Sequence, residues 1–279
     1  MHSALRKSGK VTAVSIAALL TGNPAFAVES SQLLNGSSPG SLQQADINAL
    51  NIGQTANTSQ TVLNLAVGGR ANNIDQAGIN VLNMVDLPGV SPGSIVQLAD
   101  ARQQTSNEVT AGDIVNGNQI AQNTANVVRA ENLIEQTVIE QTVSASQRST
   151  NKLSAGRVLN ATQEASNIAN FVRVAEVDTV DQVFKPGSEQ IARNIAEADD
   201  DATGLVQSAT NLLNVVRVSG VARVIAQSFP SGTRQVASNE LETSGDAQNI
   251  NQNALNIANF IQGTDVGMIE REAAGDQLA

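Results

Sequence analysis

Residues 161–174 read ATQEASNIANFVRV and contain a pattern that returns along the chain. An apolar residue is followed two positions later by Gln, then by Asn four positions on and by a second Asn three positions further. A run rich in β-branched residues comes next. The polar positions of the pattern are Gln163, Asn167 and Asn170; Gln76, Asn80 and Asn83; Gln207, Asn211 and Asn214; Gln252, Asn256 and Asn259; and, in a variant with Arg129 at the last position, Gln122 and Asn126.

A stretched form of the pattern lies between these copies. Its leading Gln is followed by five to seven other residues, then by a second Gln and by an Asn four positions later. The leading glutamines are Gln54, Gln97, Gln141, Gln182 and Gln227, and the later amides are Gln60, Asn64, Gln103, Asn107, Gln147, Asn151, Gln190, Asn194, Gln235 and Asn239. The ten leading glutamines of both forms run from position 54 to 252 in steps of about 22 residues, a period typical of a solenoid or repeat array.

Residues 1–27 have the features of a signal peptide. A basic start is followed by an apolar stretch over residues 11–20 and by an Ala-x-Ala cleavage site at residues 25–27. The apolar stretch is shorter than the roughly 20 residues that a membrane-spanning helix needs. We therefore predict a secreted, extracellular protein at the outer cell surface. After the signal peptide we expect a flexible segment over residues 28–46, a repeat array over residues 47–262, and a C-terminal cap or tail over residues 263–279.

The composition limits the partners and the chemistry. Removing the three basic residues of the predicted signal peptide changes the formal net charge from −10 to about −13, so nucleic acid and anionic lipid are not expected partners. The chain has no Cys, Trp or Tyr, and its only histidine is His2. Without His or Cys, a Ser-His-Asp or Cys-His catalytic site and a typical zinc or copper site are excluded. We expect no enzyme activity, no cofactor and no metal.

The spacing of Gln163, Asn167 and Asn170 also fits one face of a helix, so an α-solenoid of helical hairpins is the alternative fold. Asn, Val and Thr are poor helix formers, however. The runs over residues 171–184 and 215–225 are dense in valine, which favours a pleated strand surface. We predict an all-β fold, a β-solenoid of about ten 22-residue strand-turn-strand repeats in which each unit is one rung, roughly 4.8 Å from the next.

Stacking of identical side chains explains the abundance of Gln and Asn. A buried amide is costly unless its donors and acceptors find partners, and the same amide in the next rung supplies them, as in cross-β structures. The alternative is that these residues are ordinary polar surface positions. The predicted amide ladder consists of Gln54, Gln76, Asn80, Asn83, Gln97, Gln122, Asn126, Gln141, Gln163, Asn167, Asn170, Gln182, Gln207, Asn211, Asn214, Gln227, Gln252, Asn256 and Asn259.

The repeats resemble curlin repeats, the units of bacterial curli subunits. The likeness rests on an apolar residue that is separated by one residue from a Gln, with an Asn following, as in Ile74-Asp75-Gln76-Ala77-Gly78-Ile79-Asn80. It extends over most of the chain after the signal peptide. In general character the chain is also similar to the holdfast-anchoring proteins of stalked bacteria. The resemblance implies strand-turn-strand rungs with inward amide ladders, export through an outer-membrane curli-type secretion pore, and an amyloid-like role in cell adhesion, biofilm or holdfast matrix.

Three functions are therefore considered. The first is a structural protein that self-associates head to tail or joins other fibre subunits, because the terminal rungs of a solenoid expose unpaired backbone groups. The second is a monomeric repeat adhesin that binds a glycan or a partner protein along one face, and polysaccharide is an expected ligand. The third is a polysaccharide-cleaving β-helix enzyme with paired carboxylates in a groove.

Two charged groups outside the amide pattern are candidate sites. Glu197 and the run Asp199-Asp200-Asp201 either bind Ca²⁺ or form a solvated acidic turn, and the absence of a Gly-Gly-x-Gly-x-Asp repeat favours the turn. Arg173 and Arg217 recur at equivalent positions. We expect both arginines to point outward, where they are solvated or pair with an acidic group such as Glu176 or with polysaccharide.

Overall fold

The computed structural model describes residues 51–87, 92–131, 133 and 136–279, together with the backbone of one short strand, β1 (Thr12–Ile16). The predicted signal peptide, apart from β1, and the predicted flexible segment over residues 28–46 lie outside the described residues. β1 pairs antiparallel with residues 63–67.

The described residues form strands and turns, with no helix among them. The prediction of an all-β solenoid is confirmed, and the alternative of helical hairpins is wrong. Because no helix is present, none of the described residues belongs to a helix that is long and apolar enough to cross a membrane. The remaining strands are β2 (Asn51–Leu87), β3 (Ser94–Ala130), β4 (Val138–Val174), β5 (Val177–Phe184), β6 (Glu189–Ala198), β7 (Ala202–Phe229), β8 (Arg234–Thr243), β9 (Ala247–Gln248), β10 (Asn251–Ala273) and β11 (Asp276–Leu278).

The strands β2 to β11 wind into a stack of coils in which every pairing is parallel. We number the coils from the start of the chain and place each boundary at one residue column, which runs Asn51, Ser94, Val138, Thr179, Val224 and Met268. Coil 1 is residues 51–93, coil 2 is 94–137, coil 3 is 138–178, coil 4 is 179–223, coil 5 is 224–267, and the C-terminal half-coil is 268–279.

Each coil contains two of the 22-residue units, not one. Stacked glutamines are 41 to 45 positions apart, so a unit stacks on the unit after next. The expectation that each unit is one rung resting on its immediate neighbour is therefore corrected. The reason is the alternation of the two forms: their amides have different spacings, and only units of the same form match residue for residue.

Asparagine residues bend the long strands into coils. At one corner Asn83, Asn126, Asn170, Asn214 and Asn259 have φ between 49° and 55°. At a second corner Asn73, Asn116, Asn160 and Asn249 have φ between 53° and 56°, and Gly204 takes the same place with φ 68°. Asn tolerates this left-handed conformation better than other side-chain-bearing residues do. A turn of the coil is thus encoded by the last Asn of the short pattern.

Apolar columns share the interior with the amides. Ile95, Ile139, Val180 and Ile225 are fully buried and stack in register. Phe184 and Phe229 are also buried, and their ring centroids are 6.3 Å apart. Inward and outward residues alternate along each coil, as expected for strands packed on one face. The interior is therefore a narrow core in which every layer repeats the one before it.

The C-terminal residues continue the stack. β10 passes without a break through the predicted array boundary after Gln262, and its residues Met268–Ala273 pair with Val224–Phe229. β11 pairs with β8. The half-coil therefore covers coil 5 only as far as Val236 and leaves the remainder, including residues 247–262, at the end of the described stack.

Candidate functional site

Six columns of amide side chains run through the interior. Three are glutamine columns: Gln54, Gln97, Gln141, Gln182 and Gln227; Gln60, Gln103, Gln147, Gln190, Gln235 and Gln277; and Gln76, Gln119, Gln163, Gln207 and Gln252. Three are asparagine columns: Asn64, Asn107, Asn151, Asn194 and Asn239; Asn80, Asn123, Asn167, Asn211 and Asn256; and Asn83, Asn126, Asn170, Asn214 and Asn259.

Neighbouring amides within a column are hydrogen-bonded. The distances between donor nitrogen and acceptor oxygen run from 2.6 to 3.1 Å. The second N–H of an amide usually goes to a backbone carbonyl, as in the 2.7 Å bond from Nε2 of Gln141 to the carbonyl oxygen of Asn126. Most of these side chains in coils 2 to 4 are completely buried. Burial is tolerated because the column and the backbone together satisfy both donors.

The glutamine and asparagine columns have opposite polarity. In a glutamine column the later residue donates to the earlier one, as Gln97 donates to Oε1 of Gln54 at 2.8 Å. In an asparagine column the earlier residue donates to the later one, as Asn107 donates to Oδ1 of Asn151 at 2.8 Å. These directions hold along all six columns. Each end of the stack therefore presents a fixed arrangement of donors and acceptors.

The structure places every predicted ladder residue in a column except Gln122. Gln122 is half-buried and donates to Oγ1 of Thr124 at 3.2 Å. Gln119, which is fully buried, takes the place in the column that was predicted for Gln122. Asn126 stacks on Asn170, the second Asn of its copy, whereas the sequence alignment matched Asn126 with the first Asn. This is a correction to the sequence-based alignment of coil 2. The alignment failed because Gly117 stands where Ile74 supplies the apolar residue in coil 1.

The predicted ladder was incomplete: it left out the two columns formed by the later amides of the stretched pattern, namely Gln60, Gln103, Gln147, Gln190 and Gln235, and Asn64, Asn107, Asn151, Asn194 and Asn239. Three further column residues, Gln119, Asn123 and Gln277, belong to neither form of the pattern as it was aligned. Gln119 and Asn123 keep the regular spacing of the pattern, so a search on amide spacing alone finds both. Gln277 extends the second glutamine column by donating to Oε1 of Gln235 at 2.7 Å. It lies in the segment that the sequence reading left outside the repeat array.

The C-terminal end of the stack has two different halves. In the half-coil, Arg271 pairs in register with Gln227 and occupies the position that a Gln holds in the preceding coils of this column. Oε1 of Gln227 is buried and has no hydrogen-bond partner among the described residues. In the open half, which the half-coil does not cover, Gln252 is exposed. Asn211 donates to Asn256 of the next coil, but in the described chain no further coil follows to which Asn256 and Asn259 could donate in the same way. The half-coil closes one half of the stack, and the other stays open.

Ion pairs join outward side chains of neighbouring coils. Both N–H groups of the Arg157 fork donate to Asp113, at 3.0 and 3.1 Å. This hydrogen bond and charge hold the pKa of the Asp113 carboxyl below its ordinary value. Hydrogen bonds from Lys152 and Ser154 likewise lower the pKa of Glu197. The outer surface therefore carries charge ladders that follow the same register as the interior.

One outward row carries arginine on three consecutive coils. Arg129, Arg173 and Arg217 pair in register and are exposed, as the sequence predicts for the last two. They line a groove of 920 Å³. The row begins at Asp86 in coil 1 and ends at Gln262 in coil 5.

The acidic run lies in a turn of the stack. The carbonyl of Asp200 accepts the backbone N–H of Gly245 at 2.9 Å, and Oδ1 of Asp201 accepts the N–H of Asp246 at 2.9 Å. In the part of the chain that the structure describes, no group of three or more His, Cys, Asp or Glu side chains is placed to hold a metal ion.

No protein-family model, curated protein or solved structure matches this chain.

Proposed function

We propose that this chain is a secreted structural protein of the bacterial cell surface that assembles into, nucleates or anchors a curli-like adhesive fibre or a biofilm or holdfast matrix. Its role is structural and not enzymatic, and its partners are further copies of itself or other fibre subunits. Export through an outer-membrane curli-type pore belongs to the same proposal. The observation that carries it is the complementarity of the two ends of the coil stack.

The ends complement each other atom by atom in the open half. At the last coil, Asn256 and Asn259 each donate one N–H to a carbonyl of the half-coil, from Leu278 and Glu272. If the column directions continue, the second N–H of each and Oε1 of Gln252 are the groups that meet the next coil. At the first coil Gln76 has the matching N–H, and Asn80 and Asn83 have the matching Oδ1 atoms. A second copy added head to tail continues all three columns, whereas a head-to-head contact sets donors against donors. Unpaired backbone groups at both edges favour the same addition.

Two segments limit this addition. The half-coil occupies the first half of the last edge, with Arg271 in place of a ladder glutamine. β1 occupies residues 63–67 of the first edge, where Leu63, Leu65 and Val67 are 46%, 44% and 59% exposed. Because β1 lies within the predicted signal peptide, processing removes it and opens the first edge. Assembly is thereby delayed until after export.

Elongation of seeded fibres tests the proposal. The chain from Val28 onward is incubated with sonicated seeds, and growth is followed by thioflavin T fluorescence and electron microscopy. We expect fibres, and faster growth from a variant that ends at Gly267, because the cap is absent. A chain that stays a soluble monomer under seeding contradicts the proposal.

A matched pair of variants locates the growing end. Gln252→Arg places a charge in the open column, where a second copy must desolvate it, so seeded growth should slow. Asn253→Arg places the same charge on the neighbouring exposed residue, outside the columns, and should leave growth unchanged. Equal growth rates for the two variants would show that the open half of coil 5 is not the assembly edge.

A further inference from the structure

Within the described strands, the arginine row stacks three cations on consecutive coils with no carboxylate between them. Arg148, Lys152, Arg157 and Arg193 each meet a carboxylate on a neighbouring coil. Among the described residues, no carboxylate forms an ion pair with any of the three stacked arginines. Their backbones are about 4.8 Å apart, and like charges at this distance on adjacent strands destabilise a sheet. An external anion would relieve that repulsion.

The groove around the row is shaped by unequal loops. Residues 131–137 separate the end of β3 from the start of β4, but only residues 175–176 separate the end of β4 from the start of β5. Glu131 of the long loop, Ala175 of the short loop and Thr264 of coil 5 all line the groove. The short loop therefore leaves Arg173 and Arg217 accessible from the side of the stack.

An aromatic side chain flanks one of the arginines. The guanidinium carbon of Arg217 lies 5.9 Å from the centroid of the Phe171 ring, close enough for a cation-π contact that orients the guanidinium. The column of Phe171 also contains Met84 and Phe260, which are exposed, and Val127 and Val215, which are buried. The groove thus offers a line of positive charges, with the Phe171 ring beside Arg217.

We propose that this groove binds a carboxylate-bearing polysaccharide. Guanidinium groups form paired hydrogen bonds with carboxylates, and a polymer with one carboxylate per sugar supplies them repeatedly along the row. The Phe171 ring beside Arg217 suits the non-polar face of a sugar ring. Nucleic acid fits less well, because its phosphates need many cations. Here an acidic chain supplies three stacked arginines, and Asp86 and Glu131 line the same groove.

The inference deepens the proposed function by naming a matrix component, and it rests on that function for its biological context. The groove lies on the side of the stack, however, and not at its ends. Binding is therefore measured on the monomer, before fibres form. A failure of seeding leaves this test intact, and a failure of binding leaves the seeding test intact.

The test compares binding of polygalacturonate oligomers and of their fully methyl-esterified form to the purified monomer by isothermal titration calorimetry. We expect the acidic oligomer to bind, with an affinity that falls as salt rises, and the esterified one not to bind. In the triple variant Arg129→Gln, Arg173→Gln and Arg217→Gln the affinity should fall about tenfold or more, since three charge-assisted contacts are lost.

A second triple variant is the matched control. Arg102→Gln, Arg148→Gln and Arg234→Gln remove the same charge from outward positions away from the row and should bind as the unchanged protein does, with circular dichroism confirming that both variants fold. The proposal is overturned if the wild-type monomer does not bind, if both triple variants bind equally, or if the esterified oligomer binds as tightly. It is also overturned if duplex DNA binds more tightly than polygalacturonate and loses affinity in the first variant.

Discussion

Asn170 donates its side-chain N–H to Oδ1 of Asn214 at 2.9 Å, and both residues hold left-handed backbone angles, with φ of 53° and 49°. One residue type thus performs two tasks at the corner of the coil. Its side chain links one coil to the next, and its backbone turns the strand. The corner column consequently couples coil stacking to coil curvature.

Substitutions at Asn170 separate these two tasks. Asn170→Ala removes the column bonds and the 3.1 Å bond to the carbonyl of Val183, and it forces a Cβ-bearing residue without a compensating amide into the left-handed region. We expect a loss of about 4 kcal/mol in the free energy of unfolding. Asn170→Gly loses the same bonds but tolerates the conformation, so it should recover about 1 kcal/mol. Urea unfolding of the two variants measures the difference, and identical midpoints would show that backbone conformation contributes nothing here.

Substitutions at Gln119 and Gln122 test the corrected alignment of coil 2. Gln119→Leu leaves the buried amides of Gln76 and Gln163 with unpaired groups, and about 3 kcal/mol of stability should be lost. Gln122→Leu replaces a half-buried outward residue and should change stability by less than about 0.5 kcal/mol. Thermal unfolding monitored by circular dichroism ranks the pair. The opposite ranking would restore the alignment read from the sequence.

Replacement of Arg271 tests why the first glutamine column stops. Arg271→Gln supplies the N–H that Oε1 of Gln227 lacks, and the half-coil should gain about 1 kcal/mol against local opening. Amide hydrogen exchange over residues 269–273 reports that gain as slower exchange. Arg234→Gln removes an arginine from an exposed position outside the columns and should leave these exchange rates as they are.

Acid should weaken the outer ion pairs selectively. Pairing holds the pKa values of Asp113 and Glu197 below those of the same groups in the unfolded chain. Each pair therefore stabilises the fold at pH values above the unfolded-state pKa of about 4. This stabilisation is lost as the pH falls through the pKa of the folded state. The double variant Asp113→Asn and Glu197→Gln should be slightly less stable than wild type near neutral pH and equally stable at about pH 2. Asp265→Asn is the control, and its stability relative to wild type should not follow this pattern. A pH-independent difference for the double variant would rule out the charge contribution.

The sequence predicted the fold class because stacked identical residues leave a period that can be read directly. The spacing around Gln163, Asn167 and Asn170 identified both the inward amides and the residue that forms a corner. The number of units in a coil was not predictable in the same way, because a 22-residue repeat fits one-unit and two-unit coils equally well. The stacking of Gln54 on Gln97 and not on Gln76 is a long-range choice made by matching of like units.

The remaining errors have local causes. Gly117 interrupted the apolar position of the pattern, so Gln122 was taken for Gln119. Arg271 replaced a glutamine in the final half-coil, so residues 263–279 were not recognised as a continuation of the stack. The three-arginine row was seen only at Arg173 and Arg217, because the misalignment of coil 2 assigned Arg129 to a different position. In each case one residue that departs from the pattern concealed a backbone that keeps the regular stacking.

The opposed directions of the amide columns also govern the electrical character of a long assembly. In an α-helix the peptide dipoles add, and partial charges collect at its termini. In this stack three glutamine columns oppose three asparagine columns, so the side-chain contributions largely cancel within every layer. A filament built from such layers would therefore extend without collecting dipole charge from these side chains at its tips.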